Sequence, residues 1–179
     1  PIELHAQIAG NAAPEFMPKN TLPNNPRDFK TPNYGLMSYA DLFTSRQLTA
    51  LSTFADLVPE AIELVRRDAL AAGWEDDGQG LDNGGCGATS YAQAIGVYLA
   101  FAVDKCSDYW SSICSWHSSG EKMRNTFGRQ AIPMTWDYAE CNPMCSSSGN
   151  WMAMVDWAWK ALSSAPATSF GYACQQNAQ

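Results

Sequence analysis

The sequence predicts a mainly α-helical fold, two long helices and one shorter one with at most one or two short strands, on three observations. Apolar residues recur at spacings of three and four over residues 48–69, 91–113 and 151–162, and these stripes account for most of the apolar side chains. Thr44 and Ser90 are each followed three residues later by a glutamine, Gln47 and Gln93, which is the pattern of a capping box. Pro and Gly cluster between the stripes rather than within them, apart from Pro59 and Gly96.

Residues 1–34 hold six of the ten prolines and show no sustained period, so this arm is expected to be extended or turn structure lying across another surface. Residues 35–165 form the helical domain. Its first helix opens after Thr44 and carries Leu48, Leu51, Ala55, Val58, Ile62, Val65 and Ala69 on one face, ending near Gly73. Pro59 removes one backbone donor from that helix, and because the stripe keeps its phase across it, a kink is expected rather than a break. A polar, glycine-rich loop follows over residues 76–87.

The second helix starts near Ser90 and places Tyr91, Ile95, Tyr98, Ala102, Cys106, Tyr109 and Ile113 along one face. Its middle is apolar all round, which marks it as the central helix. After Trp116 the pattern breaks into an irregular aromatic stretch reaching to Gly149. The third helix, over about residues 150–162, turns Trp151, Met154, Val155, Ala158 and Leu162 inward and is stopped by Ser163, Ser164 and Pro166. Residues 166–179 form a tail in which a short strand is expected over 170–174.

Composition narrows the classes of function. A chain of 179 residues buries roughly 70% of its unfolded surface, so one core needs neither metal nor disulfide. The net charge of −7 argues against this chain being the main phosphate-neutralising surface of a nucleic-acid binder. The longest apolar run, 94–103, is about half of the roughly 20 residues that a membrane helix requires, so no membrane partner is expected. No secretory signal pattern opens the chain, and an opening at Pro1 without Met suggests an excised or processed piece.

Six cysteines raise the alternatives of disulfides and zinc. Cys106 and Cys114, if they share a helix, stand roughly 12 Å apart, too far to bridge. Cys141 and Cys145 have a tolerable zinc spacing, but His117 is the only nearby imidazole and no second finger-type pair exists. Reduced, mostly buried thiols in a cytoplasmic protein are the expectation, with no metal. Gly84-Gly85-Cys86-Gly87 before a helix invites comparison with a phosphate cradle, but the polar run before it is no buried strand, so it reads as an interhelical loop. Asn142-Pro143 is followed by Met144-Cys145, lacks the second proline and the aromatic of a base-holding motif, and reads as a turn. The sequence contains no Gly-x-Ser-x-Gly elbow, His-Glu-x-x-His pair or phosphate-binding lysine loop, which lowers the weight of hydrolases and kinases.

Residues 117–150 are too rich in polar and aromatic groups for simple helix packing. Arg124, Arg129 and Gln130 stand near Trp136, Asp137, Tyr138, Glu140 and Asn142 in the chain. Two readings are open: an ion-pair cluster that orders a loop, with Arg129 paired to Asp137 or Glu140, or a ligand or DNA contact.

Four blocks of the chain are Tyr34-Gly35-Leu36, Asp41-Leu42-Phe43-Thr44-Ser45-Arg46-Gln47-Leu48, Asn125-Thr126-Phe127-Gly128-Arg129-Gln130-Ala131-Ile132-Pro133-Met134 and Trp136-Asp137-Tyr138-Ala139-Glu140. In order and spacing they resemble the large adenine-specific DNA methylases found among phage-defence genes, over a region from about Leu22 to the C-terminus. Pro59, Cys141 and Cys145 depart from the family's pattern.

The resemblance implies a doubly wound α/β methyltransferase in which this chain is a helical insertion between two motifs. The glycine motif for S-adenosylmethionine lies upstream and the catalytic Asp-Pro-Pro-Tyr downstream; neither stands in this chain, so no catalytic residue is expected in it. Tyr172-Ala173-Cys174-Gln175-Gln176-Asn177-Ala178 is similar to the family's strand ending in a Gln-x-Asp-Ala turn near the cofactor, with Asn177 in place of Asp. Gln176 and Asn177 are the cofactor-side residues that this implies. An amide keeps hydrogen-bonding capacity there but loses the charge.

On the same basis Arg124, Arg129, Gln130, Trp136, Asp137, Tyr138 and Asn142 are the implied substrate or DNA contacts. The partners implied are DNA and the remainder of the methylase chain, and S-adenosylmethionine belongs to the intact enzyme rather than to this piece. A second function of a different class is a non-catalytic helical module that binds a partner protein of a defence system.

Overall fold

The computed structural model of the chain describes residues 2–11, 14 and 17–165. Within them the chain is mainly helical, with a small antiparallel pair of strands. The strand and cofactor-side turn expected over 170–178, including Gln176 and Asn177, lie outside the described residues.

The arm departs from expectation at its start. Residues 2–11 form a helix, α1 (Ile2–Asn11), which lies against the long helix α2 (Ser45–Ala71). The prolines that suggested extended chain begin again only at Pro14, leaving ten residues free to close helical bonds. Further along, Leu22 donates its amide to Met37 at 2.8 Å and is buried with Leu42, Ile113 and Ile132. Residues 20–34 therefore lie on the chain's own domain.

α2 opens as read. The Thr44 side chain accepts the Gln47 amide and Gln47 Oε1 accepts the Thr44 amide at 2.8 Å, completing the capping box. The helix runs unbroken through Pro59 for 27 residues. It stops where Gly73 takes φ of 87°, with Trp74 donating to Ala69 and Gly73 to Leu70, a pair of bonds that satisfies the last carbonyls. Of its expected inner face, Leu48 and Ala69 are buried and Leu51, Val58, Ile62 and Val65 are half-buried, while Ala55 is exposed.

The glycine loop before α3 (Ala88–Ser107) is held by two carboxylates. Asp76 accepts the Thr89 amide at 3.1 Å and the Thr89 hydroxyl at 2.7 Å, and Asp77 accepts the Cys86 amide at 3.1 Å. The N-terminus of α3 thus already holds an anion of the chain's own making, which leaves no cradle there for an external phosphate. A Cβ on Gly87 would lie 2.6 Å from the Asp76 backbone, which is why that position is glycine. The second expected capping box is not formed: the helix starts two residues earlier than Ser90, and Gln93 accepts the Leu81 amide at 2.6 Å instead.

α3 is central, packed against α2 on one side and α4 (Trp151–Ser164) on the other. Its buried face keeps Ala102 and Cys106 of the expected stripe but not the tyrosines. Ala88, Ala92, Gly96, Ala102 and Cys106 are buried, while Tyr91 and Tyr98 are exposed. Close approach to α2 demands small side chains: a Cβ at Gly96 would meet Ile62 Cδ1 at 2.4 Å.

The helix also ends earlier than the stripe implied, at Ser107, so Cys106 and Cys114 do not share it. Cys114 comes back by a turn to the same core cluster, with Trp110, Met123, Cys141 and Met154. Around that core Phe54 packs edge-on to Trp110 at 5.4 Å and tilted on Trp151 at 4.7 Å. Strands β1 (Ser115–His117) and β2 (Lys122–Arg124) pair antiparallel, Trp116 opposite Met123, and interrupt the stretch expected to be irregular.

α4 is capped by Asn150, whose Oδ1 accepts the Ala153 amide at 2.9 Å. Met154 is its buried residue, with Trp151, Val155 and Ala158 half-buried; Leu162, expected inside, is exposed near the helix end. Among the described residues no helix is long and apolar enough to cross a membrane.

Candidate functional site

The segment that follows β2 is built on Asp108, the residue that ends α3. Its backbone carbonyl accepts the Thr126 amide at 2.7 Å and its Oδ1 accepts the Phe127 amide at 2.7 Å. Oδ2 takes Lys105 Nζ at 2.9 Å and Asn125 Nδ2 at 3.2 Å. Beneath them, the Thr126 hydroxyl bonds the Ser111 hydroxyl at 2.6 Å and lies 3.2 Å from Cys114 Sγ. All three side chains are buried, so the polar groups of this turn are satisfied internally.

Outside this anchor lies a cavity of about 210 Å³, lined among others by Arg124, Asn125, Thr126, Gly128, Arg129 and Thr135. Most of these belong to the block 125–134. Arg124 and Arg129 are exposed, and neither forms an ion pair among the described residues. Two free guanidiniums on one cavity form a local positive site in a chain whose net charge is −7.

A loop-ordering ion pair, one of the two readings open for this region, exists here with a different cation. Glu140 is held by Arg46, from the first turn of α2, in a two-pronged contact in which Nε donates to Oε1 at 2.6 Å. The same guanidinium donates to the Tyr138 hydroxyl at 2.8 Å. Glu140 keeps Arg46 firmly protonated, with its pKa raised above the ordinary arginine value. Partial burial, and next the Glu140 charge, push the Tyr138 phenol up from its usual value. Sequence reasoning placed Arg46 in a family-like block but had no signal connecting it to a carboxylate 94 residues away.

The remaining expected contacts spread along the same edge. Trp136 is 74% exposed and stands edge-on to Tyr34 at 5.0 Å. Tyr138 is 58% exposed despite its bond to Arg46. Gln130 and Asp137 are exposed. Asn142 folds back into its own turn, Oδ1 accepting the Met144 amide at 3.0 Å, which agrees with reading Asn142-Pro143 as a turn. The structure thus brings Arg124 and Arg129 to one cavity and sets Trp136 and Tyr138 beside other elements as exposed rings.

The described cysteines differ in character, and the Ser147 hydroxyl and amide hold the Cys145 thiol below its ordinary value. Cys86, Cys106, Cys114, Cys141 and Cys145 are all free thiols, and burial pushes Cys106 and Cys141 up to about 12, so both are neutral at ordinary pH. Among the described residues no group of three His, Cys, Asp or Glu side chains is arranged to hold a metal ion. Compared with family models, curated proteins and solved structures, the chain matches none of them.

Proposed function

We propose that this chain is a segment of an S-adenosylmethionine-dependent DNA adenine methyltransferase and that it shapes the substrate or DNA channel. One observation carries the reading. The block 125–134, the longest of those resembling the methylases, lines much of a cavity bearing Arg124 and Arg129, which form no ion pair among the described residues, and two exposed aromatic rings, Trp136 and Tyr138, follow it in the chain. Guanidiniums suit phosphate and exposed rings suit an extruded base, the two needs of an enzyme that modifies a base outside the duplex. In this proposal the cofactor motif and the catalytic Asp-Pro-Pro-Tyr belong to other parts of the polypeptide. The chain's own share is binding and positioning, and Arg46 holds Tyr138 for that purpose.

The test is to place Arg129→Ala and Tyr138→Phe in a polypeptide that includes the flanking sequence, and to measure adenine methylation together with melting temperature. Loss of methylation with melting unchanged supports the reading. Parallel loss of both, or full activity in both variants, defeats it.

A second reading, a helical module that binds a protein partner, is favoured by a different observation. Val97, Tyr98 and Phe101 on α3 and Met152 and Trp159 on α4 are large apolar residues left exposed. Flanking sequence that lacks Asp-Pro-Pro-Tyr, with no methylation by the longer polypeptide, moves the weight to this module.

A further inference from the structure

A second cavity, of about 430 Å³, lies on the other side of Arg124 and Asn125 from the one described above. Both residues line both cavities. The walls differ in kind. The first is lined mainly by polar groups with Arg124 and Arg129; the second is bounded by Tyr109, His117, Met154 and Trp157, with Lys122 at its edge.

The aromatic wall is held in place. Trp157 packs edge-on to Tyr109 at 6.0 Å, and Lys105 Nζ lies 5.4 Å from the Tyr109 ring centre and 5.5 Å from that of Trp157. Trp157 is nevertheless 45% exposed, so the indole still offers surface. The hairpin register puts Met123 in the core and leaves Lys122 and Arg124 on the outer face, and Asp108 fixes Asn125 between the cavities. Lys122, Arg124 and Arg129 form no ion pair among the described residues, and the adjacent Glu121 pairs with none of them.

We propose that the two cavities together take one nucleoside phosphate unit, its base against Trp157 and Tyr109 and its phosphate between Arg124 and Arg129. The chemistry of each half points to it. A cavity whose open wall is mainly apolar, with two aromatic rings and a few polar side chains such as His117 and Ser148, suits a flat heterocycle with polar edges, which any base supplies. A bare anion needs only the first cavity and leaves the aromatic one without purpose. The acidic chain favours a single unit over a long run of phosphates, because only Lys122, Arg124 and Arg129 line the two cavities as cations in a chain of net charge −7. The proposal deepens the reading above and rests on it for the unit's source, a nucleic-acid strand, whereas the shared chemistry also fits a free mononucleotide.

The experiment uses the 179-residue chain, with fluorescence anisotropy of a labelled 12-nucleotide single strand and competition by AMP and by inorganic pyrophosphate. The wild type is expected to bind the strand, with affinity falling as salt rises. Trp157→Ala is expected to weaken binding roughly 5- to 100-fold, as loss of a base-stacking ring does. Arg124→Ala is expected to weaken it and to flatten the logarithmic salt dependence by about 0.7, the slope of one phosphate on a single strand. Trp157→Phe, which keeps a ring, is expected to restore most of the affinity, and circular dichroism of each variant separates lost binding from lost folding.

AMP competing as well as the strand does, nucleotide for nucleotide, assigns the site to a free nucleotide; the strand winning assigns it to nucleic acid. The proposal is overturned if the wild type binds neither, if folded Trp157→Ala binds like wild type, or if pyrophosphate displaces the strand as well as AMP does. The methylase reading stands or falls separately. Binding that depends on Trp157 and Arg124 without adenine methylation by the longer polypeptide keeps the site and removes the enzyme. Methylation with an unchanged KM for DNA in Arg124→Ala and Trp157→Ala does the reverse.

Discussion

Asp108 accepts the Phe127 amide at 2.7 Å through a carboxylate that also holds Lys105 and Asn125, so the residue that ends α3 also shapes the turn on which the candidate site is built. Asp108 is buried, and removing it leaves the Phe127 amide and the Asn125 side chain without their acceptor in a place that water reaches poorly. Asp108→Ala is therefore expected to destabilise the fold by about 1.5–3 kcal/mol, the range for a hydrogen bond to a charged group. Chemical denaturation measures the loss, and hydrogen exchange should quicken first at Thr126 and Phe127. Wild-type stability together with unchanged protection at those amides counts against this role.

The contact between α2 and α3 makes a second prediction. A Cβ on Gly96 would stand 2.4 Å from Ile62 Cδ1 and 2.5 Å from Cγ1, so Gly96→Ala forces Ile62 or the helices to move. Overpacking costs about 1–3 kcal/mol, against a helix-propensity gain of roughly 1 kcal/mol for replacing glycine. A net loss is expected. Ile62→Ala introduced together with Gly96→Ala should recover part of it, and a double-mutant cycle reads the coupling. Additive losses from the two substitutions contradict a direct clash.

These two sites also show which parts of the molecule were legible in the sequence. Thr44 with Gln47 was readable because a capping box closes over three residues, and the α2 stripe because one face of one helix repeats locally. The face of α3 is legible in its second half, where Ala102 and Cys106 are buried as the stripe expects, but not in its first. Tyr91 and Tyr98 dominate the apolar pattern, yet only the small residues Ala92 and Gly96 let a second helix come close, and that requirement is set by Ile62 on another element. The cap of α3 was missed because its acceptor, Asp76, lies 13 residues before Thr89 in a loop. Cys114 was assigned to the helix because the stripe continues past Ser107; the chain leaves the helix where Asp108 takes up the 125–127 turn instead.

For the candidate site, Arg124 and Arg129 were legible as residues but not as neighbours on one cavity. In one of the two open readings Arg129, a cation nearby in sequence, pairs with Asp137 or Glu140, while the fold supplies Arg46 to Glu140. The aromatic cavity at Trp157 was not legible at all, because its walls come from the end of α3, the hairpin and α4.

The Arg46 pair leads to a third prediction, about position rather than stability. Both side chains are partly exposed, and exposed ion pairs contribute about 0–1 kcal/mol, so Arg46→Ala should leave the melting temperature nearly unchanged. It should release Tyr138, whose hydroxyl loses its donor, and leave the Glu140 charge beside the phenol without its counter-ion. The Tyr138 phenol, already above its ordinary value, should rise further, since Arg46 is the group that lowers it. An ultraviolet titration of Arg46→Ala, with Tyr138→Phe to identify the signal, reads the change. A fall in that pKa, or a large loss of stability, is the contrary outcome.

The last prediction concerns acid. The Asp76 carboxyl titrates below its ordinary value, chiefly because the Thr89 hydroxyl and then the Thr89 amide donate to its charged form. In the unfolded chain those donors are gone and the group returns to roughly pH 3.9. A carboxyl that binds its proton more weakly when folded stabilises the fold wherever it is ionised in both states, so its contribution is fully present above about pH 4. The contribution fades as pH falls from there through the lowered folded value, because the unfolded chain takes up the proton first. Asp76→Ala should therefore melt below wild type at pH 7, and the gap should close as pH is taken down towards 2. Removing the cap also uncovers the first amides of α3, so hydrogen exchange at Thr89 should quicken at neutral pH, where wild type is protected. A gap between the two proteins that stays constant from pH 7 to pH 2 would show that Asp76 acts by packing rather than by its charge at the start of α3.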